Sequence, residues 1–362
     1  MTQSQLDLIK KMDWDYLIIL DACRYDYFEK VYSEYFQGNV KKVLSPGNWT
    51  LEWLNNIFSS YYKDIIYISA NPYINSKISV GKGGLGYDAR KHFYKIVDVW
   101  DFGWDESLTT TPPKEVNETF FKYFGKYKNY KYIIHYMQPH APYIGNRYSK
   151  YINKTLAKQA TKARQNLDFS QFEMIRKVGN LERTIRRLSR KATDVLFTPY
   201  LEVNLYKIID KVLPITDRLF TIKAKMKLYR LFSLFIPIAL DRGQIKTILA
   251  KEGVDGVKKA YEENLRFVLK YVKELVEFIP SGRIVITADH GELLGEDGKY
   301  GHPGNFRHPK LLEVPWLEID KGRKKVGEKF EGKEKGEEEE RKYSEKDEEI
   351  IKERLRALGY LE

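Results

Sequence analysis

One cysteine, Cys23, stands among 362 residues, so the chain can form no intramolecular disulfide and has no Cys-rich metal site. A lone thiol also fits a reducing compartment. Long apolar runs are lacking too. The longest, Leu231 to Leu240, is ten residues with Pro237 inside it, and a membrane-spanning helix needs about 20. The N-terminal stretch MTQSQLDLIKKMDWDY has no apolar core behind a basic start, so no signal peptide is read there. The expected location is cytoplasmic, with peripheral contact at a membrane surface as an option. General disorder is excluded by 6 Trp, 27 Tyr and 18 Phe, because disordered chains are poor in aromatics. No internal repeat is present.

The charge is uneven. The whole chain carries +12, and residues 146–230 hold 20 Lys/Arg against 7 Asp/Glu. That segment contains the entire excess, so the remainder is close to neutral. Most such runs are solvated helix faces; the other reading is a surface for a polyanion. In KMKLYRLFSLFIPIAL, cations adjoin a strongly apolar stretch, which favours a membrane surface over nucleic acid. The Lys-, Glu- and Tyr-rich composition also suits a thermophile.

Four short apolar runs read as strands buried on both faces: Asp15–Leu20, Lys63–Ala70, Tyr130–Met137 and Arg283–Ala288. Helical patterns lie between them, such as 51–58 and 261–279. This alternation predicts an α/β fold with a largely parallel sheet. The predicted catalytic domain is discontinuous, 1–145 and 241–320, with a helical basic insertion at 146–240 between its parts. Residues 321–348 are too charged to fold alone and read as a linker, and 349–362 regain an apolar face suited to docking.

In such sheets, chemistry collects beyond the carboxyl ends of the strands. Asp21 follows the first run, Gln138-Pro139-His140 the third, and Asp289-His290 the fourth. A carboxylate and an imidazole are suitable ligands for a divalent cation. Asp21, Asp289 and His290 would supply three, and the turn holding His302 can bring a further imidazole over them. Asp21 alone would read as a helix cap, and Asp289-His290-Gly291 alone as a capped turn in which the glycine frees the backbone.

Thr50 opens the helix after Ser-Pro-Gly-Asn-Trp, where the positive dipole end and unpaired N–H groups suit an anion. It is either a nucleophile activated by metal or a plain cap, with Ser45 the competing nucleophile. His140, between two prolines, can bind the anion or protonate a leaving group. His135, inside an apolar run, reads as a packed core residue, and His92 and His308 as surface or supporting residues. Gly81 to Gly86 match GxGxxG but read as a flexible loop, in which Lys82 can touch substrate. Asn48, Asn117 and Asn153 match glycosylation sequons, which carry no weight without secretion.

Taken together, the stretch TADHGELLGEDGKYGHPG with LLEVPWLEI resembles the C-terminal signature of sulfatase-like members of the alkaline-phosphatase superfamily. LIILDACRYDYF is similar to the family's first metal-binding strand, YMQPHAPY to its substrate-loop histidine motif, and RLRALGYLE to the tail of many members. The match covers about residues 14–145 and 245–320, and it is the joint order of the motifs that makes it specific.

The resemblance implies a three-layer αβα sandwich and one or two divalent metals, Mn, Zn, Ca or Mg. It places Asp21, Asp289 and His290 as metal ligands, with Thr50 as nucleophile and further ligand. His140 and His302 map to positions that touch the anion, the leaving group or a second metal. The overall pattern is similar to archaeal members, which implies a phosphate or sulfate ester on a glycan or lipid.

Two departures matter. No Cys/Ser-x-Pro-x-Arg motif for formylglycine occurs, and the family's paired aspartate is Asp21-Ala22, leaving one ligand missing or supplied by Asp26. Both favour a Thr-type phosphoesterase or phosphotransferase over a formylglycine sulfatase. The rival reading is a catalytically degenerate scaffold that binds membrane or nucleic acid through 146–240.

Overall fold

The structure, a computed structural model, describes residues 2–11, 13–82, 85–152, 236–303, 306–322 and 345–358. Most of the basic insertion and of the charged segment lie outside the described residues. The strands are β1 (Gln3–Ser4), β2 (Tyr16–Leu20), β3 (Lys41–Leu44), β4 (Tyr62–Ser69), β5 (Val80–Lys82), β6 (Leu85–Tyr87), β7 (Phe93–Asp98), β8 (Lys131–Tyr136), β9 (Arg283–Thr287), β10 (Leu293–Leu294), β11 (Tyr300–Gly301) and β12 (Glu313–Asp320). The helices are α1 (Gln5–Lys10), α2 (Tyr25–Val31), α3 (Thr50–Ile57), α4 (Val99–Phe102), α5 (Pro113–Lys126), α6 (Ile236–Phe278), α7 (Pro309–Leu312) and α8 (Glu345–Ala357).

Eight strands form one sheet in the order β1-β3-β12-β9-β2-β8-β4-β7. The four strands predicted from apolar runs are its contiguous centre, β9-β2-β8-β4, all parallel. Every residue of β2 is buried, as a strand covered on both faces requires. The flanking strands are different. β3 (KKVL) buries only Val43 among charged neighbours, and β12 runs antiparallel to both β3 and β9.

Two helical layers cover the sheet. On one face Tyr16 and Tyr132 pack against Phe120 of α5, and Phe278 of α6 meets Phe120, Phe121 and Phe124. On the other face Trp53 of α3 meets the ring of His135, and its indole N–H donates to Gln5 of α1. The fold is thus the expected α/β sandwich of three layers. In α3, Leu51, Trp53, Leu54 and Ile57 are buried. Each such side chain contributes about 1.5–3 kcal/mol by leaving water, which anchors the short helix that begins at Thr50. In α8, Ile351 and Leu355 are buried, and Arg354 lies over Trp104 and pairs with Glu106. No helix among the described residues is long and apolar enough to cross a membrane.

Register decides where the chemistry falls. Ile19 pairs with both His135 and Thr287, and Ser69 pairs with His135. The four central strands therefore end level, and the loops carrying Asp21, Asn71, His140 and Asp289 leave from one edge.

Candidate active site

Asp21, Asp289 and His290 converge in full burial, each offering a ligand atom within 4.8 Å of the others. His290 Nδ1 faces the Gly291 carbonyl at 2.8 Å. Nε2 consequently lies 3.3 Å from Asp289 Oδ2 and 3.8 Å from Asp21 Oδ1. Main-chain N–H groups of Ala22 and His290 donate to Asp289 Oδ1, which leaves Oδ2 turned inward. Ala22, beside Asp21, adopts a left-handed backbone with φ 58° and contributes its N–H to Asp289, having no carboxylate to offer.

Thr50 does not cap its helix. Its hydroxyl donates to Asp289 Oδ2 at 2.8 Å and stands 3.5 Å from His290 Nε2. Ser45, the competing hydroxyl, donates instead to the main-chain carbonyls of Asp289 and Gly47. It braces the loop, whereas Thr50 faces the carboxylates.

Beside this group stands a second. His140, Glu292 and His302 also offer ligand atoms within 4.8 Å of one another. The His302 ring lies 4.4 Å from that of His290 and 5.1 Å from that of His140, so the two groups adjoin. Burial pushes the Glu292 carboxyl up, but His302, His140 and His290 outweigh it and hold the pKa low. Burial and the neighbouring His290 push His302 toward its neutral form, against the pull of Glu292. At Asp21, burial likewise raises the pKa, and the imidazoles of His135, His140 and His290 overcome it, holding the carboxyl below its usual range.

Two buried residues complete the first group. Asn71, at the exit of β4, donates to Asp21 Oδ2 at 2.7 Å and stands 3.5 Å from Thr50 Oγ1. His135 is in the core as expected, yet its Nε2 lies 3.3 Å from Asp21 Oδ2. Sequence reasoning missed Glu292 and Asn71 altogether, and missed the contact that His135 makes.

Other candidates lie elsewhere. Asp26 pairs with Arg24 and Lys310 and joins neither group; despite burial, those cations bring its pKa to about 2. Lys82 ends β5 of a small hairpin with β6, and its side chain lies outside the described residues. His92 stacks on Tyr87, and His308 caps α7. The sequons at Asn48 and Asn117 are buried, and that of Asn153 lies outside the described residues. Asn48 donates to the carbonyls of Pro303 and Phe306, bracing the loop after His302.

Gly291 plays a different part from the expected turn. A Cβ there would lie 2.0 Å from the Lys310 carbonyl oxygen, and the Gly291 N–H donates to Leu311 at 2.8 Å. Close approach, not a positive φ, demands glycine.

Both groups fit a divalent cation by donor chemistry. The first offers two carboxylates, an imidazole and a hydroxyl, and the second two imidazoles and a carboxylate. Buried carboxylates in such proximity are costly unless paired or coordinated.

No family model matches the chain, and no curated protein does. Among solved structures, it is similar to the soluble domain of lipooligosaccharide phosphoethanolamine transferase A from Neisseria meningitidis. The TM-score is 0.41 at 11% identity, covering 84% of this chain and 75% of that one. The C-terminal periplasmic domain of EptC from Escherichia coli, in complex with Zn, matches with TM-score 0.41 at 10% identity, covering 84% and 72%. Against the integral membrane form of the Neisseria transferase, the TM-score is 0.41 at 10% identity, covering 84% of this chain and 47% of that one.

Proposed function

We propose that this chain is a metal-dependent enzyme that transfers or hydrolyses a phosphate ester through Thr50. The observation that carries this reading is the Thr50 hydroxyl, at the first residue of α3, donating to Asp289 beside His290. Asp21, Asp289, His290 and Thr50 would hold one cation, and His140, Glu292 and His302 a second. Three imidazoles among the donors favour Zn over Mn, Ca or Mg. Such a cation lowers the pKa of a bound hydroxyl and offsets charge on the transferred group.

The residues of the chain do the rest. The Thr50 proton leaves along the hydrogen bond to Asp289 as Oγ1 forms a bond to phosphorus. The bond from phosphorus to the leaving oxygen breaks, and that oxygen takes a proton from water, since His140 as a ligand of the second cation, with Nδ1 facing the Ala141 carbonyl, has none to give. Asn71 and the N–H groups opening α3 face the charge on the phosphoryl oxygens. Water or an acceptor hydroxyl, losing its proton to solvent, then attacks phosphorus as the bond from phosphorus to Oγ1 breaks, and Thr50 takes its proton back from Asp289. Phosphate is preferred to sulfate because the formylglycine motif is absent. The lone Cys23 cannot replace it: the thiol is buried, which pushes its pKa up. The motif resemblance supports an ester borne on a glycan or lipid.

The test is turnover of p-nitrophenyl phosphate, bis-p-nitrophenyl phosphate and p-nitrophenyl sulfate by metal-stripped protein, with Zn, Mn, Mg or Ca restored. Metal-dependent release from a phosphate ester, abolished in Thr50→Ala, is expected. Preferred release from the sulfate would overturn the choice of ester, and full activity in Thr50→Ala would remove Thr50 as nucleophile.

A further inference from the structure

We infer that His135 is a positioning residue for the Asp21 carboxylate, fixing which oxygen of Asp21 faces the first metal group. This rests on the metal-site reading proposed above.

His135 is fully buried at the fifth position of β8, level with Ile19 of β2 and Ser69 of β4. Its Nδ1 lies 2.9 Å from the Tyr67 hydroxyl, and its Nε2 3.3 Å from Asp21 Oδ2. A phenol is an O–H donor at neutral pH, whereas an ionised carboxylate only accepts. With Tyr67 donating to Nδ1, the ring proton sits on Nε2, which faces Asp21 Oδ2 at 3.3 Å, a charge-dipole approach and not a formed hydrogen bond. The opposite tautomer would set a nitrogen lone pair against carboxylate oxygen. Trp53 stands edge-on to the imidazole, with centroids 6.5 Å apart at 71°, which limits rotation of the ring.

Oδ2 of Asp21 thus faces two donors, His135 and the Asn71 amide at 2.7 Å. Oδ1 is left on the side of His290, 3.8 Å from Nε2. Carboxylates that ligate metals are held by such outer partners, whose loss costs about 10–100-fold in metal affinity or activity. Tyr67 and His135 form a chain that reaches the ligand from inside the sheet, where no substrate can enter.

The experiment is metal binding by competition with a chromophoric chelator, using Zn or Mn and the full chain. Wild type, His135→Phe, His135→Gln and Tyr67→Phe are compared, each with a thermal melt. The affinity of one of the two bound cations, that of the Asp21 group, should fall about 10–100-fold in His135→Phe, with the other unchanged. His135→Gln, whose amide can donate toward Asp21, should recover most of the loss, and Tyr67→Phe should show a smaller one. Unchanged affinity in a folded His135→Phe overturns the inference while leaving the metal site intact. Equal losses in the Phe and Gln variants overturn it as well, because packing would then be the cause. Should His135→Phe fail to fold, unchanged affinity in Tyr67→Phe overturns it. A wild type that takes up no metal overturns the metal-site reading and this inference with it.

Discussion

Thr50 and Asp289 are 239 positions apart in sequence, and their side chains meet at 2.8 Å. The contact joins the start of α3 to the exit of β9, and it is not the contact of a helix cap. A capping hydroxyl accepts from main-chain N–H groups of its own helix; this one donates to a buried carboxylate. Thr50→Ala should therefore cost at least on the order of 10³ in kcat, as loss of a covalent nucleophile does, with little change in melting temperature. Thr50→Ser should retain part of the activity. Steady-state kinetics beside a thermal melt check both, and a Thr50→Ala enzyme that loses stability instead of turnover would return the residue to a structural role.

The second group makes a separate prediction. Glu292 is buried between His140 and His302, and these imidazoles hold its pKa low. Glu292→Gln removes the charge while keeping the shape. Wild type dialysed against Zn should carry two equivalents and Glu292→Gln about one, read as the metal-to-protein ratio by elemental analysis. Two equivalents retained in the variant would show that Glu292 is not a ligand.

Legibility followed burial. Continuous apolar runs mark β9, β2, β8 and β4 because both their faces are covered. β3 and β7 carry lysines at exposed or half-buried positions, which breaks the pattern. The metal-competent residues at strand exits were readable because donor chemistry is local to the residue type. Asn71 follows β4 as Asp21 follows β2, but an amide is a poor metal donor and draws no notice as one. Glu292 stands two residues beyond His290, in plain view, yet an acid on a Gly-rich loop is ordinarily solvated. His135 looked like core because its neighbours are apolar. Its contact with Asp21 depends on β2 and β8 being adjacent in register, which no local pattern encodes.

Gly291 tests whether the fold around the ligands tolerates even one methyl group. With a Cβ placed 2.0 Å from the Lys310 oxygen, either α7 or the Asp289–His290 loop must move. Gly291→Ala should lose about 1–3 kcal/mol of stability, typical of overpacking in a closed site, and should also weaken metal binding, because the adjacent His290 is a proposed ligand. Urea unfolding with metal titration reads both. A variant as stable as wild type would mean that the loop has room the close approach does not suggest.

Asp98, at the end of β7, supplies a prediction about pH. Its carboxylate accepts from the Ser76 N–H at 2.9 Å, the Ser76 hydroxyl at 2.6 Å and the Trp100 indole at 3.2 Å. Burial raises its pKa from 3.8 to about 6, and those hydrogen bonds with nearby Lys77 offset only part of the rise. The folded state thus binds this proton more tightly than the unfolded state does. Asp98 favours folding most below about pH 4, and that contribution is lost as pH rises to about 6, then stays level. Asp98→Asn cannot ionise, so its stability relative to wild type should rise across that window and plateau above it. Urea unfolding of both proteins from pH 4 to pH 7 measures the difference directly. A constant difference would mean that Asp98 titrates alike in both states. One that falls with pH would mean that the carboxylate's hydrogen bonds outweigh its burial.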